Sequence, residues 1–246
     1  MAVWITRSQP GASLEAALFT AHGYDVVSAP LIGVRMLSPW HARIDDGPPV
    51  SEIESGGMPD LVLVLSAHAV DGFVQAGLLA EIEHVTCIAV GDSTAAALGR
   101  HGVEARTPAL SSSEGILAMP EVTSLAYNST VWLLSGVGGR DLLRQYLQDE
   151  RHSRVVKFEL YQRCRVAVDP VMVKNCTVAT IASLEALHAC VDLFSLSSQP
   201  VSSLSLIVPS DRIAVAAASL GFAQVHVAND ATPQAMLTAL QGIAPC

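Results

Sequence analysis

Short apolar runs bounded by turn residues recur along the whole chain. They are rich in Val, Ile and Leu and do not alternate cleanly with polar residues, which is typical of strands buried on both faces of a parallel sheet. The runs lie at residues 3–6, 25–29, 61–65, 87–90, 131–134, 155–161, 178–182, 204–208 and 225–227. We therefore predict a buried strand at each of these positions.

Amphipathic stretches of helical character separate these runs. They lie at residues 13–21, 67–76, 93–100, 140–148, 184–194 and 212–220. A strand followed by a helix, repeated along a chain, indicates an α/β fold with parallel strands and right-handed crossovers. Units of this kind build doubly wound, flavodoxin-like domains.

Three pieces of the sequence recur in the same order further along the chain. Residues 3–30 resemble 131–161, residues 60–73 resemble 177–190, and residues 87–106 resemble 206–225. If the first piece is named A and the next two together B, the chain reads A, B, A′, B′. One A and one B supply the five strands of a doubly wound domain. Chance likeness between βα units explains a single match more easily than the shared order of all three.

The repeat leaves two ways of pairing open. Either A pairs with B and A′ with B′ in tandem, or B pairs with A′ while A and B′ form a discontinuous domain around them. The second arrangement requires two crossings between domains, and the extended segments 31–36 and 161–168 suit them. Residues 38–59 are rich in Pro, Gly, Asp and Glu, and we predict a surface loop there.

Composition and charge narrow the classes of function. The chain has 246 residues, of which 50% are apolar and 15% charged, so it can bury a sizeable core and disorder is excluded as its main state. The formal net charge is −9, and the only lysines are Lys157 and Lys174. A broad basic face for nucleic acid is therefore excluded, whereas a few arginines in a cleft could still bind a small anion.

The cysteines and the N-terminus bear on the compartment. The five cysteines are an odd number without C-x-x-C spacing, so we expect reduced thiols rather than disulfides or a zinc ribbon. The segment MAVWITRSQPG lacks the basic and apolar regions of a signal peptide, and no run reaches the ~18 apolar residues of a membrane span. We expect a soluble cytoplasmic protein.

The residues that directly follow the predicted strands are the first candidates for chemistry, because doubly wound domains bind ligands beyond the carboxyl ends of their strands. A hydroxyl together with helix N-terminal N–H groups can hold an anion there, although helix capping alone favours the same residue types. The positions are Thr6, Arg7, Ser66, Ala67, residues 91–94, residues 135–140, Ser183 and Ser210.

Other motifs give weaker signals. The segment SGVGGR at 135–140 has Asp141 where a dinucleotide-binding loop needs its last glycine. The eight histidines show no metal-ligand spacing, and His68 in a strand-end loop is more typical of a solvated histidine than of a base. Tyr161 ends a predicted strand beside Arg163. It could be core filler or a hinge residue, or its hydroxyl could protonate a leaving group.

Several motifs taken together resemble the uroporphyrinogen-III synthase family, in its bacterial form. They are ITR, PLI, LSAHAV, AVGDSTAAAL, GGRDLL, LYQRC and ATPQAML, in this order from about residue 3 to residue 240. The resemblance implies two doubly wound parallel-sheet domains joined by a two-stranded β-ladder hinge. The discontinuous outer domain would be 1–33 plus 170–246, and the inserted domain 34–169.

The resemblance also implies a function. The family cyclises hydroxymethylbilane, a linear tetrapyrrole with carboxylate side chains, to uroporphyrinogen III with loss of water and inversion of the terminal ring, and it uses no cofactor or metal. The tyrosine thought to assist departure of the hydroxyl falls on Tyr161. The hydroxyls of the family's inter-domain cleft fall on Ser66, Thr94, Ser183 and Ser210, and the main-chain contacts suit Ala67 and Gly136.

Some positions depart from the family pattern. Ser135 stands where relatives often carry Arg, so that one anion contact is either missing or replaced by Arg140. Asp211 beside Ser210 is unusual next to a polyanion and argues against the Ser210 assignment. Since the protein and its substrate would both be negative, we expect recognition to be local, through Arg7, Arg140 and strand-end amides and hydroxyls.

A different class of function remains as an alternative, namely a two-lobed α/β module that binds small anions without catalysis. For partners, we expect the tetrapyrrole substrate, a transient handover from hydroxymethylbilane synthase, and a monomer without nucleic acid or membrane.

Overall fold

The structure is a computed structural model that describes residues 1–44, 49–50, 58–138, 141–196 and 200–243. The chain forms two compact units. Unit 1 comprises Met1–Gly33 together with Cys164–Cys246, and unit 2 comprises Val34–Arg163. The chain re-enters unit 1 at Cys164, earlier than the expected residue 170.

The elements alternate largely as the apolar runs predict. In chain order they are β1 (Ala2–Ile5), α1 (Gly11–Ala21), β2 (Asp25–Ser28), β3 (Ile32–Ile44), β4 (Pro49–Val50), β5 (Leu61–Val64), α2 (Ala67–Gln75), β6 (Cys87–Ala89), α3 (Asp92–Gly99), β7 (Ala105–Arg106), α4 (Ser113–Leu117), α5 (Pro120–Thr123), β8 (Thr130–Gly136), α6 (Leu142–Asp149), β9 (Arg154–Arg165), α7 (Pro170–Val173), β10 (Val178–Thr180), α8 (Leu184–Ser195), β11 (Ser205–Val208), α9 (Asp211–Ser219), β12 (Val225–Val227) and α10 (Pro233–Gln241).

The sheet of unit 1 has five parallel strands in the order β12-β11-β10-β1-β2. The central strand β1 pairs on one side with β2 and on the other with β10, where Val3 lies opposite Val178. Counted along the chain of this unit, the order is 2-1-3-4-5, which is that of a flavodoxin-like doubly wound fold.

The sheet of unit 2 has seven strands in the order β4-β3-β9-β8-β5-β6-β7. The five strands from β9 to β7 are parallel. Strands β3 and β4 pair antiparallel beyond β9. Unit 2 is therefore a doubly wound sheet extended at one edge.

The strand order also decides between the two pairings that the sequence repeat left open. In unit 1 the order runs A then B′, as β2-β1-β10-β11-β12, and in unit 2 it runs A′ then B, as β9-β8-β5-β6-β7. Each copy of a repeat piece occupies the same place in its sheet. The interleaved arrangement is thus the observed one, and unit 1 is discontinuous.

Two strands carry the chain from one unit to the other. Strand β3 begins at Ile32, before the boundary at Gly33, and β9 ends at Arg165, after the boundary at Arg163. The two strands are hydrogen-bonded neighbours in the seven-stranded sheet.

The prediction of a surface loop at 38–59 is wrong for its first part. Residues up to Ile44 continue β3, and residues 49–50 form β4. The segment is a strand because it supplies core side chains: Ala42 is 2% exposed, and the rings of Trp40 and Phe158 lie 5.6 Å apart between centroids. Of the rest of the predicted loop, residues 45–48 and 51–57 lie outside the described residues, and residues 58–59 belong to no helix or strand.

Apolar side chains cover both faces of each sheet. In unit 1, Trp4 is fully buried and its indole N–H donates a 2.7 Å hydrogen bond to the carbonyl of Ala29. In unit 2, Phe73 from α2 packs on Phe158 and Trp132, with ring centroids 5.6 and 6.3 Å away. Over the described ranges, no helix has both the length and the apolar character needed to cross a membrane.

Candidate active site

Each sheet has one point where the crossover connections leave in opposite directions, and ligands of doubly wound domains bind there, beyond the carboxyl ends of the strands. In unit 1 this switch point lies between β1 and β10, and in unit 2 it lies between β8 and β5. The predicted site residues Arg7 and Ser183 follow the first pair of strands. In the second pair, Gly136 is the last residue of β8, and Ser66 lies between β5 and α2.

Ser66 and Tyr161 form a hydroxyl pair at the switch point of unit 2. Ser66 is the N-cap of α2, and its Oγ accepts a 3.1 Å hydrogen bond from the N–H of Ala69. The same Oγ donates a 3.0 Å hydrogen bond to the phenol oxygen of Tyr161. Because Ser66 can donate its proton to the phenol, the Tyr161 O–H is left to donate to a ligand.

The ring of Tyr161 packs directly on the backbone at the end of β8. Gly136 lies opposite Tyr161 at a bulge in the β8–β9 ladder, and the next amide, of Val137, donates a 2.7 Å hydrogen bond to the carbonyl of Tyr161. A Cβ on Gly136 would lie 2.6 Å from Cζ of the phenol ring. Glycine is therefore required at this position by the close approach of the ring.

A second glycine brings α2 close to β9. A Cβ on Gly72 would lie 2.8 Å from Cβ and 3.0 Å from the carbonyl oxygen of Leu160. The close packing of helix on strand places the N-terminus of α2 beside Tyr161. As a result His68, the second residue of the helix, lies against the phenol ring, with 5.6 Å between ring centroids.

His68 is the site residue that the sequence reasoning set aside. Its side chain is 26% exposed, and its Nδ1 lies 3.9 Å from a carboxylate oxygen of Asp71. The signal that identifies it is spacing. His68 stands two residues after the capping serine of a helix, and the first turn of a helix that begins at a switch point faces the ligand side of the sheet.

In unit 1, Ser183 and Ser210 occupy the helix starts that correspond to those of unit 2. Ser183 caps α8 as Ser66 caps α2, and its Oγ accepts a 3.2 Å hydrogen bond from the N–H of Ala186. Ser210 precedes α9 in extended conformation, but its hydroxyl makes no capping bond. Asp211 follows it in the first turn of the helix. Capping therefore accounts for the hydroxyl of Ser183 and does not account for that of Ser210.

Arg7 is held within unit 1. Its Nη1 donates 3.0 Å hydrogen bonds to a carboxylate oxygen of Glu15 and to the carbonyl of Ala231. The Glu15 side chain is 1% exposed, so this ion pair neutralises a buried charge. The guanidinium also packs on the first turn of α1, where a Cβ on Gly11 would lie 2.8 Å from its Nε. These contacts give Arg7 a structural task besides the substrate contact expected from sequence.

The remaining expected residues lie at different depths. Ala67 opens α2 and is half-buried, whereas Thr94 in the first turn of α3 is only 2% exposed. Ser135 is buried, and its Oγ donates to the carbonyl of Phe158 at 3.3 Å. Arg140 lies outside the described residues.

Cations near the end of β8 are paired with acids of the same unit. Asp141, the residue before α6, lies 3.4 Å from both Arg144 and Lys157, and Lys157 lies 3.9 Å from Glu159. Burial raises the pKa of Asp141, but the hydrogen bond from Arg144 and the charge of Lys157 outweigh it and hold that pKa below its usual value. Over the described ranges, no three His, Cys, Asp or Glu side chains are grouped so that they could hold a metal ion.

Replacing Gly136 with Ala should displace the phenol ring of Tyr161. The added methyl would overlap three ring atoms at 2.6–3.0 Å, and overpacking of this kind costs about 1–3 kcal/mol. We expect both a loss of activity and a lower free energy of unfolding, measured by steady-state assay and denaturant titration. Gly99→Ala at the end of α3 is the matched control, because within the described part of the chain no atom beyond its own turn of helix lies within 4 Å of the added Cβ. Full activity of Gly136→Ala would contradict the packing described.

The fold and the site define a class of protein: a pair of interleaved doubly wound units with a buried tyrosine at one switch point. The chain belongs to the uroporphyrinogen-III synthase family, since the family model described as "Uroporphyrinogen-III synthase HemD" matches residues 13–238. It is accordingly an enzyme of tetrapyrrole synthesis, and the alternative of a non-catalytic binding module is not favoured.

Relatives and solved structures agree with this membership. The uroporphyrinogen-III synthase of Salmonella typhimurium is 31% identical, over 98% of this chain and 100% of that protein. The enzyme of Escherichia coli K12 is 29% identical, over 82% and 89%. The structure of uroporphyrinogen-III synthetase from Helicobacter pylori has a TM-score of 0.63 at 12% identity, covering 99% of both chains. A mutant uroporphyrinogen III synthase from Thermus thermophilus has a TM-score of 0.55 at 17% identity, covering 99% of this chain and all of that one. These two structures bear on the fold alone.

Proposed function

We propose that the protein converts hydroxymethylbilane into uroporphyrinogen III as a cyclising hydro-lyase. The C–O bond of the hydroxymethyl group breaks and the hydroxyl leaves as water. This carbon first forms a C–C bond to the already substituted α-carbon of the terminal pyrrole, giving a spiro intermediate. The bond from that α-carbon to its original methylene then breaks, and the methylene bonds to the free α-carbon of the same pyrrole, which inverts the ring. The proton that leaves with the hydroxyl is restored when the attacked pyrrole loses its own, so the net change is loss of one water.

The observation that carries the proposal is the hydroxyl pair of Ser66 and Tyr161 at the switch point of unit 2. Departure of a hydroxyl needs a proton donor, and a phenol whose oxygen accepts from Ser66 has its own proton free for this task. Tyr161 is 7% exposed, so little water competes for that proton. We assign Tyr161 the role of general acid and Ser66 that of its orienting partner.

The substrate carboxylates would be bound at helix N-termini. The starts of α2, α8 and α9 each follow a strand of a parallel sheet, where free N–H groups and the positive end of the helix dipole favour an anion. Ser66, Ala67, Ser183 and Ser210 stand at these starts. Binding through fixed amides and hydroxyls suits a protein whose net charge of −9 does not attract a polycarboxylate from a distance.

The rate enhancement required from these groups is moderate. Hydroxymethylbilane closes spontaneously to the uninverted isomer I, so the protein must above all select one ring closure over another. Holding the reacting ends in one geometry supplies such selection, and a positioned acid adds ~10²–10⁴-fold.

The isomer composition of the product tests the proposal. Porphobilinogen is supplied with porphobilinogen deaminase, the protein is added, and the products are oxidised and separated chromatographically into isomers III and I. We expect predominantly isomer III with the native protein and isomer I with the heat-denatured protein. Isomer I alone in the presence of folded protein would refute the assignment.

The compartment and the partners are part of the same proposal. The cysteines in the described part of the chain are free thiols, and burial raises the pKa of Cys87 to about 11 and that of Cys190 to about 12. Free thiols fit a reducing compartment such as the cytoplasm. We further propose a monomer that receives its unstable substrate by transient handover from hydroxymethylbilane synthase.

A further inference from the structure

We infer that His68 is a positioning residue for Tyr161: its imidazole holds the phenol ring so that the hydroxyl stays on Ser66. The inference rests on the proposed role of Tyr161 as general acid. It starts from the juxtaposition of His68, on the first turn of α2, with the ring of Tyr161 at the end of the β9 ladder with β8.

The contact between the two rings has the geometry of an attractive aromatic pair. The centroids are 5.6 Å apart and the planes are inclined by 60°, so the two rings meet edge to face. Pairs of this kind lie at 4.5–7 Å and contribute about 0.5–1.5 kcal/mol beyond the area they bury. This is enough to favour one position of the phenol over neighbouring ones.

The imidazole is itself oriented by its own helix. Asp71, one turn further along α2, places a carboxylate oxygen 3.9 Å from Nδ1 of His68. Residues at i and i+3 lie on the same face of a helix, so this carboxylate is positioned to restrain the imidazole.

Tyr161 is consequently restrained by three different groups. Gly136 contacts the ring carbons, Ser66 bonds the hydroxyl, and His68 packs against the ring. A reacting group displaced by ~1 Å can lose on the order of 10²-fold in rate, so a partial loss of restraint at this contact has a measurable effect.

Substitutions at His68 separate ring packing from nitrogen chemistry. His68→Ala removes the ring, and we expect kcat to fall about tenfold, well within the ~10²-fold cost of a misplaced group, with KM changed less than about twofold. His68→Phe keeps an edge-to-face ring without nitrogen, and we expect it to retain at least about half of kcat because the packing persists. His84→Ala, an exposed histidine of the same unit, is the control.

A second measurement reads the phenol directly and needs no turnover. The chain has four tyrosines, so fluorotyrosine labelling gives four ¹⁹F resonances, and Tyr161→Phe identifies that of Tyr161. In His68→Ala we expect the Tyr161 resonance to shift and broaden while those of Tyr24, Tyr127 and Tyr146 stay in place, which also shows that the variant is folded. In His68→Phe it should remain sharp.

The outcomes distinguish the inference from the proposed function. Unchanged kcat and an unchanged Tyr161 resonance in His68→Ala would overturn the positioning role. So would an equal loss of kcat in His68→Phe and His68→Ala, because the nitrogen would then be responsible. A native protein that makes only isomer I refutes the proposed reaction, whereas the ¹⁹F result still reports whether His68 orders the phenol.

Discussion

Replacing Tyr161 with Phe is expected to lower kcat by ~10²–10⁴-fold, which is the usual contribution of a general acid, and to leave the protein folded. The substitution removes only the phenol oxygen, which accepts a 3.0 Å hydrogen bond from Ser66. Ser66 retains its capping bond to Ala69, so the free energy of unfolding should fall by no more than about 1 kcal/mol. The ring remains to pack on Gly136.

The measurement is turnover of hydroxymethylbilane together with the ratio of isomer III to isomer I. As kcat falls, spontaneous closure should compete and the share of isomer I should rise. Tyr127→Phe makes the same chemical change at an exposed ring of unit 2 and should have no effect. If Tyr161→Phe retained full turnover with pure isomer III, the acid role would be wrong.

Replacing Arg7 with Met should destabilise unit 1 by about 3 kcal/mol, because removing one partner of a buried ion pair leaves an uncompensated charge. The charge is that of Glu15, whose side chain is 1% exposed and whose Oε1 has no hydrogen-bond partner among the described residues. In a chain of this length the loss corresponds to roughly 6–12 °C in Tm. Met retains much of the apolar stem that packs on Gly11.

A double-mutant cycle separates the structural role of Arg7 from a substrate contact. Glu15→Gln removes the buried charge, so the combination of Arg7→Met with Glu15→Gln should recover most of the lost stability, since contacting partners are not additive. Thermal unfolding and KM are measured for all four proteins. An Arg7→Met variant with native Tm and a raised KM would restore Arg7 to the substrate site and contradict the structural reading.

The strand pattern of this fold could be predicted because parallel strands buried on both faces leave a plain signal. The predicted run at 61–65 covers β5, which is buried at all of its positions. The run at 225–227 has the bounds of β12, but this edge strand is half-buried or exposed, so the prediction of a buried strand is wrong there. Piece-by-piece similarity between the two halves predicted which strands correspond. The similarity could not decide whether A shares a sheet with B or with B′, because that depends on contacts distant in sequence.

What the sequence did not reveal has specific physical causes. The second part of strand β3, residues 38–44, was hidden because the Pro, Gly, Asp and Glu content of 38–59 is typical of a loop. It is a strand through its pairing with β4 and its place beside β9. The helices α4, α5 and α7 have four or five residues, too few to show helical periodicity. Glu15 could have been found, since Ala12, Glu15 and Phe19 share the buried face of α1.

The candidate site also has a part that the sequence predicted and a part that it did not. Ser66, Gly136 and Tyr161 were found from their positions at strand ends, and the structure brings these three together in unit 2. The contact of His68 with Tyr161 depends on how closely α2 approaches β9, which Gly72 permits and which no local pattern encodes.

The place of β1 in its sheet has a consequence for how the protein is made. Strand β1 lies between β2 and β10. The segment β1-α1-β2 therefore emerges from the ribosome long before β10, the other neighbour of β1, has been synthesised from Val178 onwards. Unit 2 is continuous from Val34 to Arg163 and is complete by then. At ~5–20 residues per second the N-terminal segment waits on the order of ten seconds with its apolar faces uncovered. We therefore expect the inserted unit to fold first and the N-terminal segment to enter its sheet only when the C-terminal strands have been made.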